Sequence, residues 1–231
     1  MRYLHAVRSA VTASTVAAAL CMAQPCSAST IVDPSNDLLS TYIGQVGPDL
    51  DILQFTVEIQ GSNFLFRVLL GGASGTTPLA RYNFGIDRGA GANTFPPGFR
   101  PEASLDAVMQ FVPGTQSGDV RLFLGGVVVT TTALPSDAFA ISGNSFSVVV
   151  PISMLPSTGF ATQDYTFMLW SRTQLATGVP VQFGIADFAP DHGLLSLVPE
   201  PSTWMMMLLG FGAIGFAMRR SRAPRNVLQL R

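Results

Sequence analysis

The sequence contains no lysine: all thirteen basic residues are arginine, set against fourteen carboxylates, and only 12% of the chain is charged. A chain-wide basic excess is absent, which weighs against nucleic acid as a partner. Two cysteines cannot define a disulfide-dense scaffold, and zinc-finger spacings are excluded. Apolar residues are what the chain has in quantity. They make up 48% of it, and the mean hydropathy of +0.37 is high for a soluble globule. The length of 231 residues allows one domain or two small ones.

The apolar residues are concentrated at the two ends. Arg2 and Arg8 precede a nearly unbroken apolar run from Ala10 to Leu20, and Cys26 and Ala28 then occupy the −3 and −1 positions of a small-x-small site. This is the layout of a secretory signal peptide over 1–28, cut by signal peptidase between Ala28 and Ser29. Both cysteines, Cys21 and Cys26, lie inside the segment to be removed, so the mature protein would have neither a disulfide nor a cysteine ligand.

At the other end, Trp204 to Met218 is free of charge and is followed by Arg219, Arg220, Arg222 and Arg225. At about 1.5 Å per residue a helix over 204–218 reaches roughly 22 Å, short of a hydrocarbon core of roughly 30 Å, so it reads as a weak membrane anchor helped by snorkelling arginines. The basic cluster should stay in the cytoplasm, placing an inner-membrane precursor N-out and C-in. Just before the run stand Pro199, Glu200 and Pro201, and prolines there should keep the peptide ahead of Trp204 unwound. The motif, the short apolar helix and the terminal arginines resemble, in that order, the PEP-CTERM sorting signal of Gram-negative bacteria, covering 199–222. The resemblance implies processing by an exosortase near Pro199 to Pro201, and delivery to the cell envelope or to secreted exopolysaccharide. The nine residues 223–231 extend past the usual end of such signals, as a cytoplasmic tail.

Between the ends lies 29–198, with six arginines against thirteen carboxylates, a formal −7 with His192 neutral. An acidic exported segment is compatible with binding divalent cations or with staying soluble outside the cell. Its periodicity is two: Leu53, Phe55, Val57 and Ile59 alternate with polar residues, Gln60 to Asn63 makes a turn, and Phe64, Phe66, Val68 and Leu70 resume the pattern. Strand-like runs follow at 81–87, 105–112, 120–124, 127–132, 145–154, 165–171 and 181–188. Nine short strands punctuated by glycine and proline predict an all-β, antiparallel β-sandwich of jelly-roll-like kind. The region 33–191 also resembles, more loosely, exported PEP-CTERM proteins of unassigned function, through Asp33 to Asp37, Gly75 to Pro78, Gly85 to Gly91, Leu155 to Phe160 and Asp187 to Asp191. That resemblance carries no catalytic residue.

Chemistry is sparse in this segment. It holds one histidine and no cysteine or lysine, so a nucleophile with an activating base is hard to assemble, and His192 in a Pro-Asp-His-Gly turn reads as a loop residue. Glycines between Gly85 and Gly91 lack the following helix that a phosphate site needs. Asp87, Asp106, Asp187 and Asp191 stand at strand ends and could converge on Ca²⁺, although carboxylates there also cap turns. Tyr82, Phe84, Phe95, Phe99, Tyr165, Phe167 and Trp170 could stack on sugar rings, although aromatics in alternating strands belong more often to a core. The reading is a non-enzymatic, exported structural or interaction protein without a required cofactor. Its alternatives are a carbohydrate- or calcium-binding module and, remotely, a hydrolase.

Overall fold

The computed structural model describes residues 27–93, 95–96, 99–199 and 201–221. The expected signal segment up to Cys26, the motif residue Glu200 and the tail 223–231 lie outside the described residues. Ser27–Val198 forms one compact unit, and the C-terminal helix belongs to another.

Two antiparallel sheets build the unit. The first contains β1 (Ser27–Val32), β2 (Ile52–Gln60), β3 (Asn63–Leu70), β10 (Phe139–Ser142) and β11 (Ser145–Pro151), in the order β10-β11-β3-β2-β1, and ends at the two-residue β15 (Val198–Pro199). The second contains β4 (Ala80–Asp87), β7 (Ala107–Val112), β8 (Ser117–Leu124), β9 (Val127–Ala133), β12 (Thr166–Thr173) and β13 (Ile185–Ala189), in the order β13-β12-β4-β7-β8-β9. The short β14 (Leu195–Ser196) also pairs with β12, and β5 (Ala92–Asn93) pairs with β6 (Ser104–Leu105).

The expected all-β sandwich is present, but its winding is not that of a jelly roll. Consecutive strands pair locally instead, as β1-β2-β3 and as β7-β8-β9. Tight turns explain this. Gln60 pairs with Asn63 across a two-residue loop in which Gly61 has φ 58°, the positive value such hairpin turns require. The β8–β9 turn likewise uses Gly125 and Gly126, both at positive φ.

The faces of the two sheets bury a common core. Phe55, Phe64 and Phe66 from the first sheet meet Phe84 and Phe167 from the second, with ring centroids 5.1 Å apart for Phe66–Phe84 and 5.5 Å for Phe64–Phe167. Such pairs add to the burial of their surface. A second cluster on the outer side of the second sheet joins Leu105, Met168, Trp170 and Phe188, with Phe95 and Phe99 packed against it. The aromatics considered for sugar stacking are therefore mostly core: Tyr82, Phe84, Tyr165 and Phe167 are fully buried and Trp170 nearly so.

Several strand limits differ from the alternation. A bulge between Ile52 and Gln54 puts Ile52, not Leu53, on the core face. The run at 105–112 splits because Asp106 turns inward to an arginine. Pro151 ends β11, and a 3₁₀ turn occupies Ile152–Met154. Val181–Gly184 is likewise a 3₁₀ turn after Pro180, so β13 starts only at Ile185.

The C-terminal helix α1 runs from Pro201 to Ser221, longer than the 204–218 expected. Proline at the first helical position is favourable, since its missing N–H would have no intrahelical partner there. The expectation of an unwound peptide up to Trp204 is thus corrected. Among the described residues no helix is long and apolar enough to cross a membrane, and the expected span at 204–218 is not confirmed.

Candidate functional site

Four carboxylates converge at one corner of the β-sandwich: Asp33, Asp37, Asp187 and Asp191, each offering an oxygen within 4.8 Å of the others. Local structure brings them together from opposite ends of the unit. Strand β13 is the end strand of its sheet, and the segment after β1 runs along its free side, where Leu39 N–H donates to the Ala186 carbonyl at 2.7 Å and Ile43 N–H to that of Phe183 at 3.0 Å. Asp33 N–H is held by the Leu53 carbonyl at 3.0 Å, and Asn36 N–H by Asp51 Oδ1 at 2.9 Å, which fixes the bend carrying Asp37. Asp187 accepts the backbone N–H groups of Ile52 and Phe188, each at 2.7 Å. Asp191 follows β13 in the next loop.

The cluster is acidic and poorly neutralised. Arg100, the cation beside it, sits with its guanidinium carbon 4.4 Å from the centre of the Phe188 ring and donates to the carbonyls of Pro190, Asp191 and Gly193 rather than to the carboxylates. Its charge is paired with Glu102 at 2.7 Å. Asp33 Oδ2 and Asp37 Oδ1 are buried and have no hydrogen-bond partner. Asp37 and Asp191 also line a cleft of about 640 Å³ with Phe99, Arg100, Phe188 and His192.

Burial, followed by the charges of Asp187, Asp191, Asp37 and Asp51, pushes the Asp33 carboxyl up to about 8. Asp187 is raised to about 7, again chiefly by burial, and Asp37 is raised for the same reason. In the unfolded chain these groups ionise near 3.8. Between that value and about 8 the folded state therefore holds more protons than the unfolded one, and stability falls as pH rises through this window. In chelator, the melting midpoint should drop by several degrees from pH 5 to pH 8, and Asp33→Asn should flatten part of the drop. A midpoint constant over that range would contradict the arrangement.

Of the four aspartates expected to converge, only Asp187 and Asp191 do so. Asp87 Oδ1 instead accepts the N–H groups of Gly89 and Gly91, at 2.9 and 3.1 Å, closing the turn after β4. Asp106 is 2% exposed and forms an ion pair with Arg88, Nε to Oδ1 2.9 Å. Both carboxylates are occupied with turn closure and charge pairing. Asp33 and Asp37 take their places in the cluster; the spacing of two carboxylates in Asp33-Pro-Ser-Asn-Asp37 was visible, but nothing in it announced a neighbour near the other end of the unit. His192 is exposed in the loop beside Asp191.

The expected processing positions lie in or beside regular elements. Ala28 and Ser29 lie within β1, opposite Glu58 and Val57 of β2. Pro199 ends β15 and Pro201 begins α1. The family model of the PEP-CTERM protein-sorting motif matches residues 197–222. The chain carries this sorting motif. A PEP-CTERM motif marks an exported protein processed by an exosortase, and its match ends at Arg222, leaving 223–231 outside it. No curated protein and no solved structure matches the chain.

Proposed function

We propose that the chain is a non-enzymatic structural or interaction protein of the cell envelope or exopolysaccharide matrix, delivered there as a β-sandwich freed from its C-terminal signal. The observation that carries this reading is the PEP-CTERM motif, whose match from 197 to 222 overlaps only the last two residues of the compact unit Ser27–Val198. Cutting close to Pro199 would release a complete folded unit. The thin polar inventory supports the absence of catalysis: the unit's one histidine is exposed, and its buried ion pair ties loops together. Before release, the precursor is held at the inner membrane with Arg219, Arg220 and Arg222 on the cytoplasmic side. Because the uncharged run is short of a full span, retention relies on those arginines and on capture by the exosortase.

Glu200→Ala, or the double change Pro199→Ala and Pro201→Ala, should leave most of the protein as inner-membrane precursor, while deletion of 223–231 should not. Fractionation with an antibody to the β-sandwich, in a host with the exosortase and in one without it, reads this out. Equal release of wild type and motif variants in both hosts would reduce the segment to an ordinary tail.

A further inference from the structure

We propose that Asp33, Asp37, Asp187 and Asp191 together bind one Ca²⁺ ion. Their four oxygens lie within 4.8 Å of one another. Ca²⁺ holds oxygens at about 2.3–2.6 Å, so ligands on opposite sides of one ion stand roughly 4.6–5.2 Å apart, and the whole cluster fits a single coordination sphere. Mg²⁺ at about 2.0–2.1 Å would require the carboxylates to close to roughly 4.2 Å across the ion and to meet octahedral angles. The donor set is entirely carboxylate oxygen, which suits a hard cation.

A cluster of acids alone does not make a site, and the decisive observation is a separate one. Asp33 is only 7% exposed, yet its Oδ2 has no hydrogen-bond partner, and Asp37 Oδ1 is likewise buried and unpartnered. A buried carboxylate oxygen without a donor is costly unless something positive completes it. The nearby arginine does not: the Arg100 donors that make hydrogen bonds go to three backbone carbonyls, and its charge is paired with Glu102. The remaining ligands are also held in place from behind: Asp187 is fixed by two backbone N–H groups, and Asp51 fixes the bend between Asp33 and Asp37. Asp37 and Asp191 border the open cleft, so water can supply the further oxygens that a sphere of six to eight needs. The ion would tie the segment after the first strand to the last long strand, clamping the two ends of the unit.

The test uses the full chain purified in detergent and stripped with chelator. Calorimetric titration with Ca²⁺ should show one ion per chain, with Kd in the range of about 10⁻⁴–10⁻³ M typical of extracellular sites. A tenfold excess over Kd should raise the melting midpoint by about 3–6 °C. Asp33→Asn and Asp191→Asn should each abolish both the binding and the rise, and the exposed Asp137→Asn should abolish neither. Asp191 is partly exposed, so its variant folds even where a change at Asp33 does not. The absence of stoichiometric binding, binding that survives in both variants, or an equal rise with Mg²⁺ at the same ionic strength would overturn the site.

Discussion

Asp106→Ala should cost the folded domain about 3–5 kcal/mol and lower its melting midpoint by roughly 10 °C, because it strands a buried guanidinium. Arg88 and Asp106 are each 2% exposed. Asp106 Oδ1 accepts both the backbone N–H and Nε of Arg88, at 3.0 and 2.9 Å, and its Oδ2 takes the hydroxyl of Thr158 and the N–H of Ala90. Arg88 reaches on to the Pro156 carbonyl at 2.7 Å, while the N–H of Phe160 returns to the Arg88 carbonyl at 2.9 Å. One carboxylate thus joins the turn after β4, the start of β7 and the loop at 156–160. Replacing both partners, Arg88→Met with Asp106→Leu, should recover much of the loss, since the desolvation of two charges disappears with them. Urea and thermal melts of the two variants beside wild type decide the matter, and a loss under about 1 kcal/mol for Asp106→Ala would mean that the pair does not hold these loops.

Phe66→Ala is the second large effect, about 3–5 kcal/mol, for a different reason: it opens a cavity where the two sheets meet. Phe66 is fully buried, with ring centroids 6.4 Å from Phe55, 6.1 Å from Phe64, 5.1 Å from Phe84 and 5.8 Å from Phe167. Its neighbours come from four strands of both sheets, so no single side chain can shift to fill the gap. Phe66→Leu should cost distinctly less than the alanine change. Phe160→Ala, at a position 40% exposed, should stay within about 0.5 kcal/mol of wild type. Denaturant midpoints would measure all three, and equal losses at positions 66 and 160 would contradict the core placement.

What could be read from the sequence was what is local. The β2–β3 hairpin shows itself through alternation on both sides of Gly61-Ser62, and the sorting motif through three elements in order at the chain end. Strand β10, four residues long, and β1, whose Ala28 and Ser29 look like a cleavage site, have too little pattern to stand out. The bulge at Leu53 reverses the apparent face of Ile52, since slipping a strand by one residue exchanges its faces. The carboxylates show the same limit. Asp87, Asp106, Asp187 and Asp191 all look alike as acids at strand ends. Only the packing of the segment after β1 against β13 separates a turn closer, an ion-pair partner and a converging cluster.

The register of β1 also sets an order of events. Ala28 lies opposite Glu58 and Ser29 opposite Val57, so the bond expected to be the signal-peptidase site belongs to a paired strand once the domain has folded. A protease needs that stretch free and extended in its own groove, which a strand already paired in a sheet cannot provide. If the chain is cut after Ala28, the cut must come before β1 settles on β2. Such a cut would leave Ser29 to Val32 to pair with β2, with the new amino terminus at the tip of the strand.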